Sequence, residues 1–202
     1  MRIRAMMFAL FTAAVIGVGA SSASAATLFT NGMFTTLVAP GTAVSATATS
    51  PVVLTSATSA LMSCSSSALN GTISDNGSST GRVVGMITSG SVAGCTPFAW
   101  QVTFPSAWTL TVLGSGVTAG GFTTYPAQIH NFRFDLNNGP YSGTIDGITL
   151  RQGHDTGAGP GPSGASCLQF ADAGTITGPL TGNGRFDTNY CFTGVAAAWR
   201  LR

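Results

Sequence analysis

The stretch HNFRFDL, residues 130–136, decides the fold class, because its apolar and polar side chains alternate throughout. The even-numbered residues are His, Phe, Phe and Leu, and the odd-numbered ones are Asn, Arg and Asp. In a β-strand, alternate side chains point to opposite faces. The stretch therefore predicts a strand with His130, Phe132, Phe134 and Leu136 on the core face.

The same two-residue period recurs elsewhere, in Trp108, Leu110 and Val112 and along the segment 195–201. Dipeptides that favour tight hairpins separate such segments. They are Asn-Gly or Asp-Gly at Asn31, Asn70, Asn76, Asn138, Asp146 and Asn183. Strands divided by frequent turns predict an all-β fold, either a β-sandwich or a partly closed barrel.

A sequence pattern occurs twice in the chain. Cys-x6-Gly-Thr-Ile-Ser-x6-Gly-Arg starts at Cys64 and returns with Thr for Ser at Cys167, and a further Cys follows each copy. Cys and Arg are scarce in this chain, so we interpret the segments 64–95 and 167–191 as related repeats.

The four cysteines predict two disulfides, because no C-x-x-C spacing suggests a metal site. Three connectivities are open. If the repeat is real, equivalent bridges follow, Cys64–Cys95 and Cys167–Cys191. The sequence predicts neither a metal nor a cofactor.

The N-terminus has the features of an export signal. Arg2 and Arg4 precede an apolar run that is too short to span a bilayer, and Ala23-Ser24-Ala25 follows. We predict a signal peptide at 1–25 and one secreted domain at 26–202. Its location is extracellular, or periplasmic if the cell has an outer membrane, and it is not an integral membrane protein.

Charged side chains are few, with 8 Lys plus Arg and 6 Asp plus Glu in 202 residues. This composition argues against nucleic acid as a partner, which requires a clustered basic patch. It also argues against electrostatic docking on anionic lipid. A charge-poor surface favours self-association or contact with apolar matter.

Catalytic patterns are weak. The segment 77–81 matches the G-x-S-x-G motif of serine hydrolases, but no helix pattern follows, so we interpret it as a turn. His154-Asp155 lies in a long Gly/Pro loop, 152–166, and we interpret the pair as solvated. His130 shares its predicted face with two Phe residues, so a core or boundary position is expected. The segment 135–139 lacks calcium-loop spacing and is interpreted as a turn.

Aromatic residues are the remaining candidates for a binding surface. Most aromatic side chains fill the core of a β protein, but a few exposed together would mark a binding face for sugar or lipid. The candidates are Trp100, Trp108, Tyr125 and Tyr141.

The block Cys64–Trp108 carries a family resemblance. It contains CSSSALNGTIS, MITSGSVAGC and FAWQVTFPSAWTLTV. In this it resembles small secreted β-sandwich proteins of actinobacteria and proteobacteria, and it is more distantly similar to the secreted protein activators of alkane oxidation. The usual Pro-Trp pair is absent, since Pro105 stands three residues before Trp108. The resemblance implies no catalytic residue.

Three functions follow from these observations. The first is a non-enzymatic secreted or cell-surface protein that interacts with apolar surfaces, lipids or cell-envelope components. The second is a carbohydrate-binding or adhesin module with a surface aromatic platform. The third is a hydrolase that uses Ser79 with His154 or His130.

Overall fold

The structure is a computed structural model of the 202-residue chain. It describes residues 26–30, 34–55, 60–77, 82–96, 104, 106–119, 122–136, 139–153, 166–178 and 181–202. For 136, 146, 147, 153, 171–175 and 181–186 it describes the backbone alone. The predicted signal peptide, 1–25, lies outside these residues.

The described residues form β-strands and one short 3-10 helix, Gly194–Ala198. The strands are β1 (Leu28–Phe29), β2 (Ala43–Ala48), β3 (Val52–Thr55), β4 (Ala60–Asn76), β5 (Val83–Thr96), β6 (Trp108–Val112), β7 (Val117–Ala119), β8 (Phe122–Leu136), β9 (Gly139–Gly153), β10 (Cys167–Gly178), β11 (Thr181–Phe192) and β12 (Arg200–Leu201).

The long strands form a closed, antiparallel, eight-stranded barrel. Around it the order is β2, β4, β5, β6, β8, β9, β10 and β11, so each strand lies beside its neighbours in the chain, and β11 closes the barrel by pairing with β2. β2 and β3 lie one after the other between β4 and β11. β6 and β7 likewise both pair with β8. The predicted all-β, disulfide-bridged fold is confirmed, with the barrel fully closed.

Side-chain alternation places one face of each of the eight barrel strands inside the barrel. The stripe predicted on β6 is confirmed, since Trp108 and Val112 are buried and Leu110 packs against the core. On β8 the prediction is partly wrong. The pairing of β8 with β9 shifts between Ile129 and Phe132, and Asn131 adopts a φ of 56°. This β-bulge buries both Ile129 and Phe132, so His130 does not share the inner face with Phe132.

Both disulfides join residues that lie directly opposite each other on paired strands. Cys64 of β4 faces Cys95 of β5, and Cys167 of β10 faces Cys191 of β11, with Cα atoms 3.9 and 4.0 Å apart. The first bridge belongs to the main core. The second lies in a separate small cluster with Ala197 of the 3-10 helix. The two predicted pairs are therefore confirmed.

The two repeat-like segments each contain a disulfide-linked hairpin, β4–β5 and β10–β11. In the antiparallel order β4 and β10, the first strands of the two hairpins, are five positions apart, so they run in opposite directions along the barrel. The duplication itself stays a prediction.

The C-terminal segment differs from its predicted strand. Gly194, with a φ of 62°, turns the chain into the 3-10 helix, where Val195 is 78% exposed and Ala196 is buried. The predicted alternation holds for Trp199 and Leu201, which are buried. Alternation of apolar residues over this segment could not distinguish a strand from a short helix.

Candidate functional site: the barrel interior and its terminal plug

The two ends of the described chain meet at one end of the barrel. β1 and β12 pair antiparallel, with Leu28 opposite Leu201. The backbone N–H groups of Thr27 and Arg202 each donate to the other residue's carbonyl, both at 2.9 Å. We call β1, Trp199 and β12 the plug. Its side chains Leu28, Trp199 and Leu201 are all buried in the barrel core.

A side-chain amide from the barrel wall binds the outer edge of β1. The Asn76 side-chain oxygen accepts a hydrogen bond from the Leu28 N–H at 2.6 Å. Its Nδ2 donates to the Leu28 and Val38 carbonyls, at 2.7 and 2.8 Å. The Val38 N–H also donates to the Leu28 carbonyl, at 3.0 Å, so the segment 36–38 covers part of this edge. Asn76 supplies the acceptor for the Leu28 N–H, which is costly to leave unpaired inside a protein, and it links β1 to that segment.

The Gln152 side-chain amide binds the outer edge of β12. Its Oε1 accepts from the Leu201 N–H and its Nε2 donates to the Leu201 carbonyl, both at 2.8 Å. The Tyr125 hydroxyl donates to that carbonyl at 2.7 Å and accepts from Gln152 Nε2 at 3.2 Å. Burial raises the pKa of Tyr125, and the hydrogen bond from Gln152 partly offsets the rise. Polar contacts thus fix both plug strands to the barrel.

Beneath the plug lies a cavity of about 60 Å³. Apolar side chains from the plug and from the barrel strands line it. They include Leu28, Ala46, Leu69, Ile73, Val83, Val112, Leu150, Leu168, Trp199 and Leu201. Cavities lined by such side chains stay dry and bind apolar molecules. The volume is smaller than the roughly 150 Å³ of an engineered cavity that binds benzene, so larger molecules require side chains to move.

Aromatic side chains fill the other half of the barrel. Trp108 contacts Phe104 and Phe132, with ring centroids 5.0 and 4.4 Å apart. Phe134 stacks on Tyr141 at 5.3 Å, and the Trp108 Nε1–H donates to the Arg133 carbonyl at 2.8 Å. This half leaves a gap of only about 10 Å³. The apolar space of the interior is therefore concentrated beneath the plug.

The aromatic residues predicted at the surface are in the core instead. Trp108, Tyr125 and Tyr141 are only 3%, 4% and 0% exposed, so this prediction was wrong for all three. Trp100 lies outside the described residues. Because the barrel is closed, one face of each barrel strand points inward, and these three aromatic rings lie on that face.

The predicted catalytic groups do not form a site in the described structure. Gly77 ends the described part of the G-x-S-x-G match, which connects β4 to β5. Ser79 and the pair His154-Asp155 lie outside the described residues. His130 is half-buried and pairs with Thr109 of β6. Among the described residues, no three His, Cys, Asp or Glu side chains are grouped for metal binding.

The outer surface carries few large apolar side chains. Those exposed among the described residues are Leu37, Met86, Val117 and Val195, all on different segments. No helix within the described ranges has the length and hydropathy needed to cross a membrane. Among the described residues, the large apolar side chains therefore lie mostly inside the barrel.

The sequence does not predict the roles of Asn76 and Gln152. Its patterns place Asn76 in a turn dipeptide and Gln152 at the start of the long loop. Both sit near the ends of strands, at the side of the barrel where β4, β6, β9 and β11 finish. No local pattern distinguishes an amide that binds a distant backbone from one that binds water.

Comparison with known proteins identifies no relative, because no family model, curated protein or solved structure matches this chain. The two disulfides are consistent with an oxidising compartment outside the cell.

Proposed function

We propose that this chain is a secreted, non-enzymatic protein that binds small apolar molecules inside its barrel. The observation that carries the proposal is the cavity beneath the plug, with its lining of Leu, Ile, Val and Trp side chains. Removal of apolar surface from water stabilises such a complex by roughly 25 cal/mol per Å². The predicted export signal at 1–25 and the disulfides support the location.

The position of the apolar residues favours the interior over the outer surface as the binding site. The exposed large apolar side chains are scattered, and contiguous patches are what mark contact with surfaces or lipids. The resemblance of Cys64–Trp108 to activators of alkane oxidation agrees with an apolar ligand. The carbohydrate-binding alternative has lost Trp108, Tyr125 and Tyr141, because a stacking platform must be exposed.

Binding is tested on the oxidised chain 26–202 with xenon and n-pentane as probes. We expect NMR shifts at the Trp199 indole N–H and at the Leu201 methyl groups, because both residues line the cavity. Ala46→Leu adds bulk to the cavity wall and should weaken both probes. Ala93→Leu adds the same bulk at an exposed position on β5, outside the cavity wall, and serves as the matched control.

Shifts that are absent at saturating probe, or that are the same in the Ala46→Leu and control variants, would refute binding inside the barrel. Depletion of the protein by hexadecane droplets without such shifts would instead indicate adsorption through the outer surface.

A further inference from the structure

A second, larger cavity lies beside β12, on the side that faces β7 and β8. Its volume is about 330 Å³. Its walls include Phe34, Thr118, Tyr125, Arg200 and Arg202. We call it the plug groove. It is more open than the cavity beneath the plug, and its walls are partly polar.

Two of the six arginines of the segment 26–202 meet in this groove. Arg200 and Arg202 are two positions apart on an extended segment, so they share a face, and Leu201 points the other way. The Arg200 guanidinium donates to the Ala197 and Trp199 carbonyls, at 3.2 and 2.8 Å, which orients it.

Arg202 is available to a ligand. It is exposed, and its guanidinium lies 5.9 Å from the centre of the Phe34 ring. Within the part of the chain that the structure describes, Arg202 forms no ion pair. A guanidinium recognises a carboxylate or a phosphate through paired hydrogen bonds. The groove therefore suits a compact anionic group.

Leu201 separates the plug groove from the cavity beneath the plug, since it lines both. β12 is two residues long, so the movement of one side chain, Leu201, is enough to join the two spaces. An anionic group in the groove would thus lie one residue away from an apolar space. A single molecule with a charged head and an apolar tail reaches both sites once Leu201 moves.

We infer that the plug groove is the head-group site for an anionic amphiphile with a carboxylate head, such as a medium-chain fatty acid. This inference rests on the proposed function and names the class of ligand. The carboxylate head binds Arg200 and Arg202. The apolar tail displaces the Leu201 side chain and enters the cavity beneath the plug.

The test compares octanoate with octanol, which have the same chain length and differ in the charge of the head. Calorimetry is done on the oxidised chain 26–202 at pH 7.5. We expect octanoate to bind about tenfold more tightly than octanol, as partly exposed charged hydrogen bonds allow. The double variant Arg200→Gln/Arg202→Gln should bind both about equally. Arg202→Gln alone keeps the contacts of Arg200 and should give an intermediate preference.

Arg133→Gln is the matched control, because Arg133 is an exposed arginine whose neighbours are on β8 and β9, away from the plug. It should leave the preference for octanoate unchanged. Equal binding of octanol and octanoate to the unmodified chain would overturn this inference and leave the proposed function standing. Binding of neither would overturn both.

Phosphatidylglycerol vesicles test the alternative source of anionic head groups. Binding to these vesicles without binding to free octanoate would also overturn the inference, because the arginines would then contact a lipid surface. Retention of the octanoate preference in the double variant would place the head group elsewhere.

Discussion

Replacement of Gln152 with Met tests whether the plug depends on its side-chain amide. Met has nearly the same length and is apolar, so the barrel wall keeps its shape. The Leu201 N–H loses its acceptor, Gln152 Oε1. The Leu201 carbonyl keeps the hydrogen bond from Tyr125. The hydrogen bonds from Gln152 Nε2 to that carbonyl and to the Tyr125 hydroxyl are also lost, but both oxygens stay joined by the Tyr125 hydrogen bond, so the Leu201 N–H is the one buried backbone donor of this contact left without a partner.

The expected cost is about 2 kcal/mol. A buried donor without an acceptor costs about 1–3 kcal/mol, and the greater hydrophobicity of Met offsets part of this. If the plug opens without unfolding of the barrel, the substitution lowers the free energy of this local opening. A change of about 2 kcal/mol then lowers amide protection at the plug by roughly 30-fold.

Hydrogen exchange followed by NMR measures this effect residue by residue. Amides of Thr27, Leu201 and Arg202 should lose protection, whereas that of Val53, on β3, should not. Gln128→Met is the control, because Gln128 is half-buried and faces outward on β8. Equal protection in both variants would refute the amide clamp, and equal loss at Val53 would refute a plug that opens independently.

Three further predictions concern the barrel. Burial raises the pKa of Tyr190 to about 12, so the unfolded chain loses this proton first, near 10. Stability should therefore fall by roughly 2–3 kcal/mol between pH 10 and 12, and Tyr190→Phe should remove most of that fall in urea titrations. Replacing Cys64 and Cys95 together with Ala should cost about 3–4 kcal/mol, and an unchanged urea midpoint would contradict this. Gly178→Ala places a Cβ against the buried Tyr141 ring and should lower the free energy of unfolding by about 1–3 kcal/mol. Gly114→Ala meets open space and should leave the melting temperature unchanged. Equal changes in melting temperature for the two variants would contradict the packing at Gly178.

Local sequence was sufficient for the all-β fold class, and the two repeat-like segments indicated the cysteine pairs that the structure contains. Alternation at Trp108 and Val112 marks one face of a strand as buried wherever the strand lies, because the period of two is a property of the extended backbone. The second cysteine of each pair is only 31 or 24 residues away, which a single hairpin spans.

Where alternation failed, a local irregularity was the cause. The bulge at Asn131 shifts the faces of β8 by one residue, so His130 no longer aligns with Phe132. Gly194 starts a 3-10 helix where alternation predicted a strand. Both features depend on single residues with positive φ, which a pattern of hydrophobicity does not record.

The sequence by itself determined that this chain forms strands and which residues tend to be buried, and it indicated a cysteine pairing on the condition that the two segments are repeats. Only the tertiary structure decided that the sheet closes, that Trp108 and Tyr141 face inward, and that Asn76 and Gln152 hold a plug over an apolar cavity. The physical reason is the separation in sequence between the residues that interact. Strand faces and hairpins arise from residues close in sequence, whereas closure pairs β11 with β2, and the plug joins Leu28 to Leu201.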